Sequence, residues 1–211
     1  MKTIIVNGSP RKNRNTAQIL KAAQKGAESI GEQVEYFDLF DLSYRGCRSC
    51  LTCKRKDIAE PCKCYYKDEL SPVLEKILSA DRLIIGSPIY YGEPTGAVRD
   101  LLERTAFPAM SYNSYSSTFS GKTDVEVFLT MNVDADNYPA MYGKKMEEYF
   151  APLRFLNGSI RITPVCDTLQ VSDYSKYEMA RFSETHKKAV HDKFFPLALE
   201  SAFNIGCRKA E

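Results

Sequence analysis

The chain has 211 residues, 44% of them apolar, and a near-neutral balance of 29 Lys and Arg against 27 Asp and Glu. Charge this close to zero gives no footprint for nucleic acid, and the ordinary globular composition excludes a disordered or collagen-like chain. No apolar run approaches the 18 or so residues of a membrane span, and the opening M-K-T-I-I-V-N-G-S-P turns too early for a signal-peptide core, so a cytoplasmic protein that touches no membrane is expected.

Strand and helix patterns alternate along the chain. Thr3–Val6 is a short buried-strand run broken at Asn7-Gly8-Ser9-Pro10. From Thr16 to Ile30 the residues Ala17, Leu20, Ala23, Ala27 and Ile30 form one helical stripe, ended by Gly31. Gln33–Leu39 reads as a strand, Glu69–Ala80 as a helix, and Arg82–Ile85 as a strand stopped by Gly86-Ser87-Pro88. Thr95 is placed as the N-cap of a helix carrying Val98, Leu101, Leu102 and Thr105. A Ser- and Tyr-rich loop, Ala109–Gly121, then leads to the strand Val125–Thr130, the helix Lys144–Phe155 and the strand Ser159–Val165. A terminal helical region, Tyr177–Ile205, holds Pro196, which is expected to kink or interrupt it.

This alternation implies a doubly wound α/β sheet of five parallel strands, order 2-1-3-4-5, with helices on both faces. Residues 1–211 read as a single domain, with a cysteine-rich insertion at about 44–67 and a C-terminal helical extension at about 175–211.

Gly-Ser-Pro occurs twice, at Gly8–Pro10 and Gly86–Pro88, each time after a buried strand. In the 2-1-3-4-5 order these two strands flank the switch point, where open α/β sheets bind ligands; turn punctuation is the plainer reading of either copy alone. The first loop brings Ser9, Asn13, Asn15 and Thr16 to a helix N-terminus, with Arg11, Lys12 and Arg14 interleaved. Free N–H groups, neutral donors and cations together suit a monophosphate. With one glycine it is neither a Walker loop nor G-x-G-x-x-G. The second loop, Ser87–Gly96, offers Pro88, Ile89, Tyr90, Tyr91 and Gly92, a mix that suits a flat heteroaromatic ring.

Five of the seven cysteines fall between Cys47 and Cys64. Cys47-x2-Cys50-x2-Cys53 has the spacing of cubane-cluster ligands, and Cys62 or Cys64 is available as the fourth thiolate. A [4Fe–4S] cluster, zinc and a group of free thiols are the three readings. Tyr44 to Lys67 also carries seven Lys and Arg against Asp57 and Glu60, a surplus that offsets a cluster's charge or attracts an acidic partner. His186 and His191 read as surface residues of the terminal helix, and no hydrolase motif is present.

Gly8–Thr16 (G-S-P-R-K-N-R-N-T), Gly86–Arg104 (G-S-P-I-Y-Y-G-E-P-T-G-A-V-R-D-L-L-E-R), Cys47–Lys54 (C-R-S-C-L-T-C-K), Cys64–Leu70 (C-Y-Y-K-D-E-L) and Thr130–Val133 (T-M-N-V) together resemble the flavodoxin-fold NAD(P)H-dependent FMN reductases, in particular the branch containing the iron–sulfur flavoproteins. The resemblance implies FMN, with Ser9, Arg11, Asn13, Asn15 and Thr16 around the phosphate. It places Pro88, Ile89, Tyr90, Tyr91, Gly92 and Asn132 along the ring. It also favours Cys64 as the fourth ligand beside Cys47, Cys50 and Cys53.

The leading expectation is an oxidoreductase taking hydride from NAD(P)H and passing electrons to a small-molecule or protein acceptor, with no proton-transferring residue demanded of the protein. The rival is an electron carrier without a small substrate of its own. A third reading treats the cysteine segment as a metal-held docking module. The aromatic Ala109–Gly121 loop, with Tyr112, Tyr115 and Phe119, predicts a homodimer or higher homo-oligomer.

Overall fold

The computed structural model describes residues 1–57 and 60–210; Ile58 and Ala59 of the cysteine-rich insertion, and Glu211, lie outside the described residues. The strands are β1 (Lys2–Asn7), β2 (Gln33–Asp38), β3 (Arg82–Tyr90), β4 (Glu93–Pro94), β5 (Thr123–Thr130) and β6 (Asn157–Val165). The helices are α1 (Asn15–Ser29), α2 (Ser71–Leu78), α3 (Gly96–Ala109), α4 (Lys144–Phe150) and α5 (Glu184–Gly206). Five strands run parallel in the order β2-β1-β3-β5-β6. This is the expected 2-1-3-4-5 arrangement with one difference: the two-residue β4 folds back antiparallel on the end of β3, so the later strands move up by one.

Alternation of side chains across the sheet divides the core. Ile4, Val6, Leu83, Ile85, Val127 and Leu129 face α2, α3 and α4, where they meet Ile77, Leu101 and Phe150. Ile5, Ile84 and Phe128 face the other way, onto Leu20 and Ala23 of α1 and Phe195, Ala202 and Ile205 of α5.

Several boundaries differ from the sequence expectation. β3 continues through the second Gly-Ser-Pro to Tyr90, because Gly86, Ser87 and Pro88 keep register with Phe128, Leu129 and Thr130 of β5. The second helix starts at Ser71, with Pro72 in its first turn, rather than at Glu69. The expected helix Lys144–Phe155 tightens into a 3-10 segment, Ala151–Leu156, at Pro152, and a π-helical turn, Pro139–Gly143, precedes it. The terminal helix begins at Glu184, where the Ser183 hydroxyl caps the His186 N–H, not at Tyr177. It then runs unbroken through Pro196.

The cysteine-rich insertion is fastened to α3 by two cations. Buried Arg104 donates to Asp68 Oδ2 at 2.5 Å, to the Tyr66 carbonyl at 2.8 Å and to the Arg45 carbonyl at 3.1 Å. Lys54 donates to the Phe107 and Met110 carbonyls at the C-terminal end of α3, where a cation is favoured by the helix dipole.

Candidate functional site

The chain just beyond β1 is tied to the middle of β3. Gly8 N–H donates to the Gly86 carbonyl at 2.7 Å, and the Thr95 hydroxyl donates to the Gly8 carbonyl at 2.7 Å. Thr95 does stand at the N-cap position of α3, but its hydroxyl is spent on this loop-to-loop tie and makes no cap. Ser87 Oγ accepts from the Thr95 N–H at 3.1 Å, so β3 and the start of α3 are tied into one hydrogen-bonded unit.

Above this joint lies a narrow cavity of about 60 Å³, lined by Ser9, Arg11, Asn15 and Thr16 from the first loop and by Pro88, Ile89 and Tyr90 from the second. Thr130, Met131, Asn132, Thr168 and Gln170 close its far side, and Arg14 joins from the N-cap position of α1. No side chain caps α1, so its first-turn N–H groups stand at the same end as Arg11 and Arg14. The hydroxyls of Thr16 and Thr130 meet at 2.8 Å. Arg11 Nη1 donates to the Gln170 carbonyl at 2.8 Å, and Asn15 Nδ2 to the Leu169 carbonyl at 2.9 Å.

A second cavity of about 350 Å³ adjoins the first through Ile89, Met131 and Asn132. Tyr91, Gly92, Val133, Met141, Tyr142 and Lys145 complete its lining. Gly92 has φ +79°, and a Cβ there would stand 3.3 Å from Tyr142 Cε1, so the turn favours glycine on both counts. Tyr90 is 43% exposed and Tyr91 wholly so. Asn132 Oδ1 is buried without a partner.

Of the residues proposed for the phosphate, Asn13 alone is turned away. Its carbonyl accepts from Gln18 Nε2 at 3.0 Å and its side chain faces Lys21. The sequence reading missed Thr130, Met131, Thr168 and Gln170. Gln170 belongs to an aperiodic stretch after β6 that reaches the site only through the tertiary fold. Lys187 was also missed: 3% exposed on α5, it pairs with Asp167 and donates to the Asn132 carbonyl at 3.2 Å, bracing the ring-side loop from behind.

The cysteines form a separate group. Cys47, Cys50, Cys53 and Cys64 line one cavity of about 20 Å³ with Tyr66 and Arg104, whose Nε donates to Cys64 Sγ at 3.4 Å. Cys62 points elsewhere, its sulfur 3.6 Å from Thr118 Oγ1 among Ala106, Ala109 and Phe155. Cys64 is therefore the one of the two that stands with the other three. The four thiols share a cavity without converging: among the described residues no group of three or more His, Cys, Asp or Glu side chains is arranged to hold a metal ion. As the side chains stand, the expected metal site is not formed among the described residues.

A doubly wound sheet with an anion-suited helix terminus and an aromatic loop on either side of its switch point defines a nucleotide-type cofactor binder. The family model described as NADPH-dependent FMN reductase matches residues 1–127, and the chain belongs to that family. It is 36% identical over 110 residues to an iron-sulfur flavoprotein of Archaeoglobus fulgidus, covering 52% of this chain and 51% of that protein. An iron-sulfur flavoprotein of Methanocaldococcus jannaschii is 32% identical over 105 residues, 50% of this chain and 52% of the relative. The chain thus spans about half the length of these curated relatives in the matched region. Among solved structures, an NAD(P)H:quinone oxidoreductase from Methanothermobacter marburgensis superposes with TM-score 0.70 at 15% identity, covering 98% of this chain and 96% of that one. An azoreductase from Bacillus anthracis gives 0.66 at 11% identity, covering 98% of each. At these identities the likeness is one of fold.

Proposed function

We propose that this chain is an FMN-dependent oxidoreductase that takes hydride from NAD(P)H and hands electrons to a small-molecule or protein acceptor. The observation that carries the reading is the Gly8–Gly86 bond, which holds an anion-suited loop and a ring-suited loop at fixed separation on one switch point. Ser9, Arg11, Arg14, Asn15 and Thr16 would hold the phosphate with the first turn of α1. Pro88, Ile89, Tyr90, Gly92 and Asn132 would bear on the ring, and the orphaned Asn132 Oδ1 is free to accept from a polar ring edge. FMN, when bound, supplies the hydride-accepting ring. The protein orients it and leaves the Tyr90–Tyr91 side open for a second reactant.

Anaerobic mixing of FMN-loaded protein with NADPH or NADH tests this reading. Rapid bleaching is expected; a flavin reduced only by another protein would make the chain a carrier. Four thiols that line one cavity, together with relatives named iron-sulfur flavoprotein, support a second redox group there. Anaerobic iron and sulfide analysis, with loss of iron in Cys50→Ala, tests for a cluster. Zinc, or freely titrating thiols, would leave the flavin alone.

Tyr112 and Tyr115 are 53% and 68% exposed on the Ala109–Gly121 loop, while Phe119 folds back onto the core. We take the exposed pair as part of a homodimer contact, which light scattering at micromolar concentration tests. Seven free cysteines suit a reducing compartment such as the cytoplasm. Among the described residues no helix is long and apolar enough to cross a membrane.

A further inference from the structure

A cavity outside the loops above lies between α5 and the segment that follows β6. It measures about 340 Å³ and has apolar walls from Val165, Val190, Phe194 and Ala198. Everything lining it falls between Asp134 and Ala198, beyond the stretch matched by the NADPH-dependent FMN reductase model. Its volume is in the range of small-molecule sites, and it combines an apolar lining with few polar groups, as such sites do.

One of those groups is incomplete. His191 was read from sequence as a surface residue, yet its ring lines the cavity and stacks on Phe195 with centroids 4.7 Å apart and planes at 21°. Its Nδ1 is buried and has no hydrogen-bond partner. A buried, unpaired polar atom is destabilising, and a ligand group that pairs with it recovers that loss.

Charge narrows the ligand. Asp134 and Asp167 are the carboxylates in the lining. Asp134 already accepts from Asn137, and Asp167 is held by Lys187 and His186. Both repel an anion; the charge of Asp167 is already met by Lys187 and His186, and Asp134 is exposed and bonded to the neutral Asn137 amide. Besides His191, the remaining titratable wall groups are Tyr138 and Cys166; burial pushes both up, Cys166 to about 11, so both stay neutral. An imidazole nitrogen donates or accepts according to tautomer, and a hydroxyl answers both.

We propose that this cavity is a binding site for a neutral, ring-sized aromatic molecule bearing a hydroxyl group, with the ring against Phe194 and Val165 and the hydroxyl on His191 Nδ1. The site is separate from the flavin cavities, with which it shares only Thr168 in its lining. It does not depend on the flavin reading.

The test is calorimetric titration of FMN-saturated protein with 2-naphthol and with naphthalene, repeated without added FMN so that failure of flavin binding is read separately. Saturable 2-naphthol binding without FMN release is expected. His191→Phe, which keeps the stack on Phe195, should weaken 2-naphthol about tenfold, the value of one hydrogen bond, and leave naphthalene unchanged. Ala198→Phe should fill the cavity and abolish both; the milder Ala198→Met should weaken both if the larger residue impairs folding. Absence of 2-naphthol binding, displacement of FMN by it, or binding indifferent to both the His191 and Ala198 variants would overturn the proposal.

Discussion

The backbone N–H of Gly8 donates to the carbonyl of Gly86, so the glycines of the two Gly-Ser-Pro segments are bonded to each other. The approach tolerates no side chain. A Cβ on Gly8 would fall 2.2 Å from Val98 Cγ2 and 3.0 Å from the Gly86 carbonyl oxygen. Gly8→Ala is expected to cost about 1–3 kcal/mol by overpacking, and to weaken FMN along with stability. Adding Val98→Ala removes the worse of the two clashes and should restore part of the loss in urea unfolding. A Gly8→Ala protein as stable as the parent would show that the loops are not locked together.

The thiols differ in reactivity for local reasons. The Thr52 hydroxyl and N–H hydrogen-bond to exposed Cys50 and hold its pKa below the ordinary thiol value. Burial pushes Cys53, Cys62 and Cys166 up. Because the thiolate is the nucleophile, iodoacetamide near neutral pH should alkylate Cys50 ahead of those three, and Thr52→Val should slow it. Peptide mass spectrometry over a time course reads the order; earlier labelling of Cys62 or Cys166 would contradict it.

Arg104 carries the cysteine segment. Its side chain is fully buried and Asp68 is only 10% exposed, so Arg104→Met removes the one cation paired with a nearly buried carboxylate, which keeps only the N–H groups of Arg45 and Leu70, and takes a donor from the Arg45 and Tyr66 carbonyls. A loss of about 3 kcal/mol is expected, with proteolytic nicking between Arg45 and Asp68 before the rest of the chain is cut. Unchanged stability and protease resistance would contradict this role.

Much of this was legible in the sequence, and the boundary of legibility has physical causes. The repeat of Gly-Ser-Pro after two short apolar runs was readable because both features are local in the sequence. The end of β3 was not, since its extension to Tyr90 depends on pairing with β5, a long-range contact that overrides the local breaker. Asn13 was misjudged because the exact start of a helix, which decides which side chains face the site, is the least legible part of it. Lys187 was unreadable for a different reason: a lysine on a helix reads as solvated, and its partner Asp167 is supplied by the loop after β6.

That pair makes an acid-stability prediction. Burial raises the Asp167 pKa, but hydrogen bonds from Lys187 and His186 outweigh it and hold the carboxyl below the ordinary aspartate value. A depressed folded-state pKa contributes stability that is present above the unfolded value of about 3.9 and is lost as pH falls through the folded one. Asp167→Asn should therefore lower stability at neutral pH and flatten its decline in that acid window. A variant with the parent's acid profile would remove Asp167 from the account.

The central claim is that the joined loops form an FMN site, and titration of the chain with FMN and FAD, followed by flavin fluorescence, tests it most directly. The account predicts saturation at one FMN per chain, preference for FMN over FAD, and weakening by about 1–2 kcal/mol in each of Ser9→Ala and Thr16→Ala, whose side chains line the narrow cavity. Absence of flavin binding, tighter binding of FAD, or FMN binding indifferent to both substitutions would contradict it.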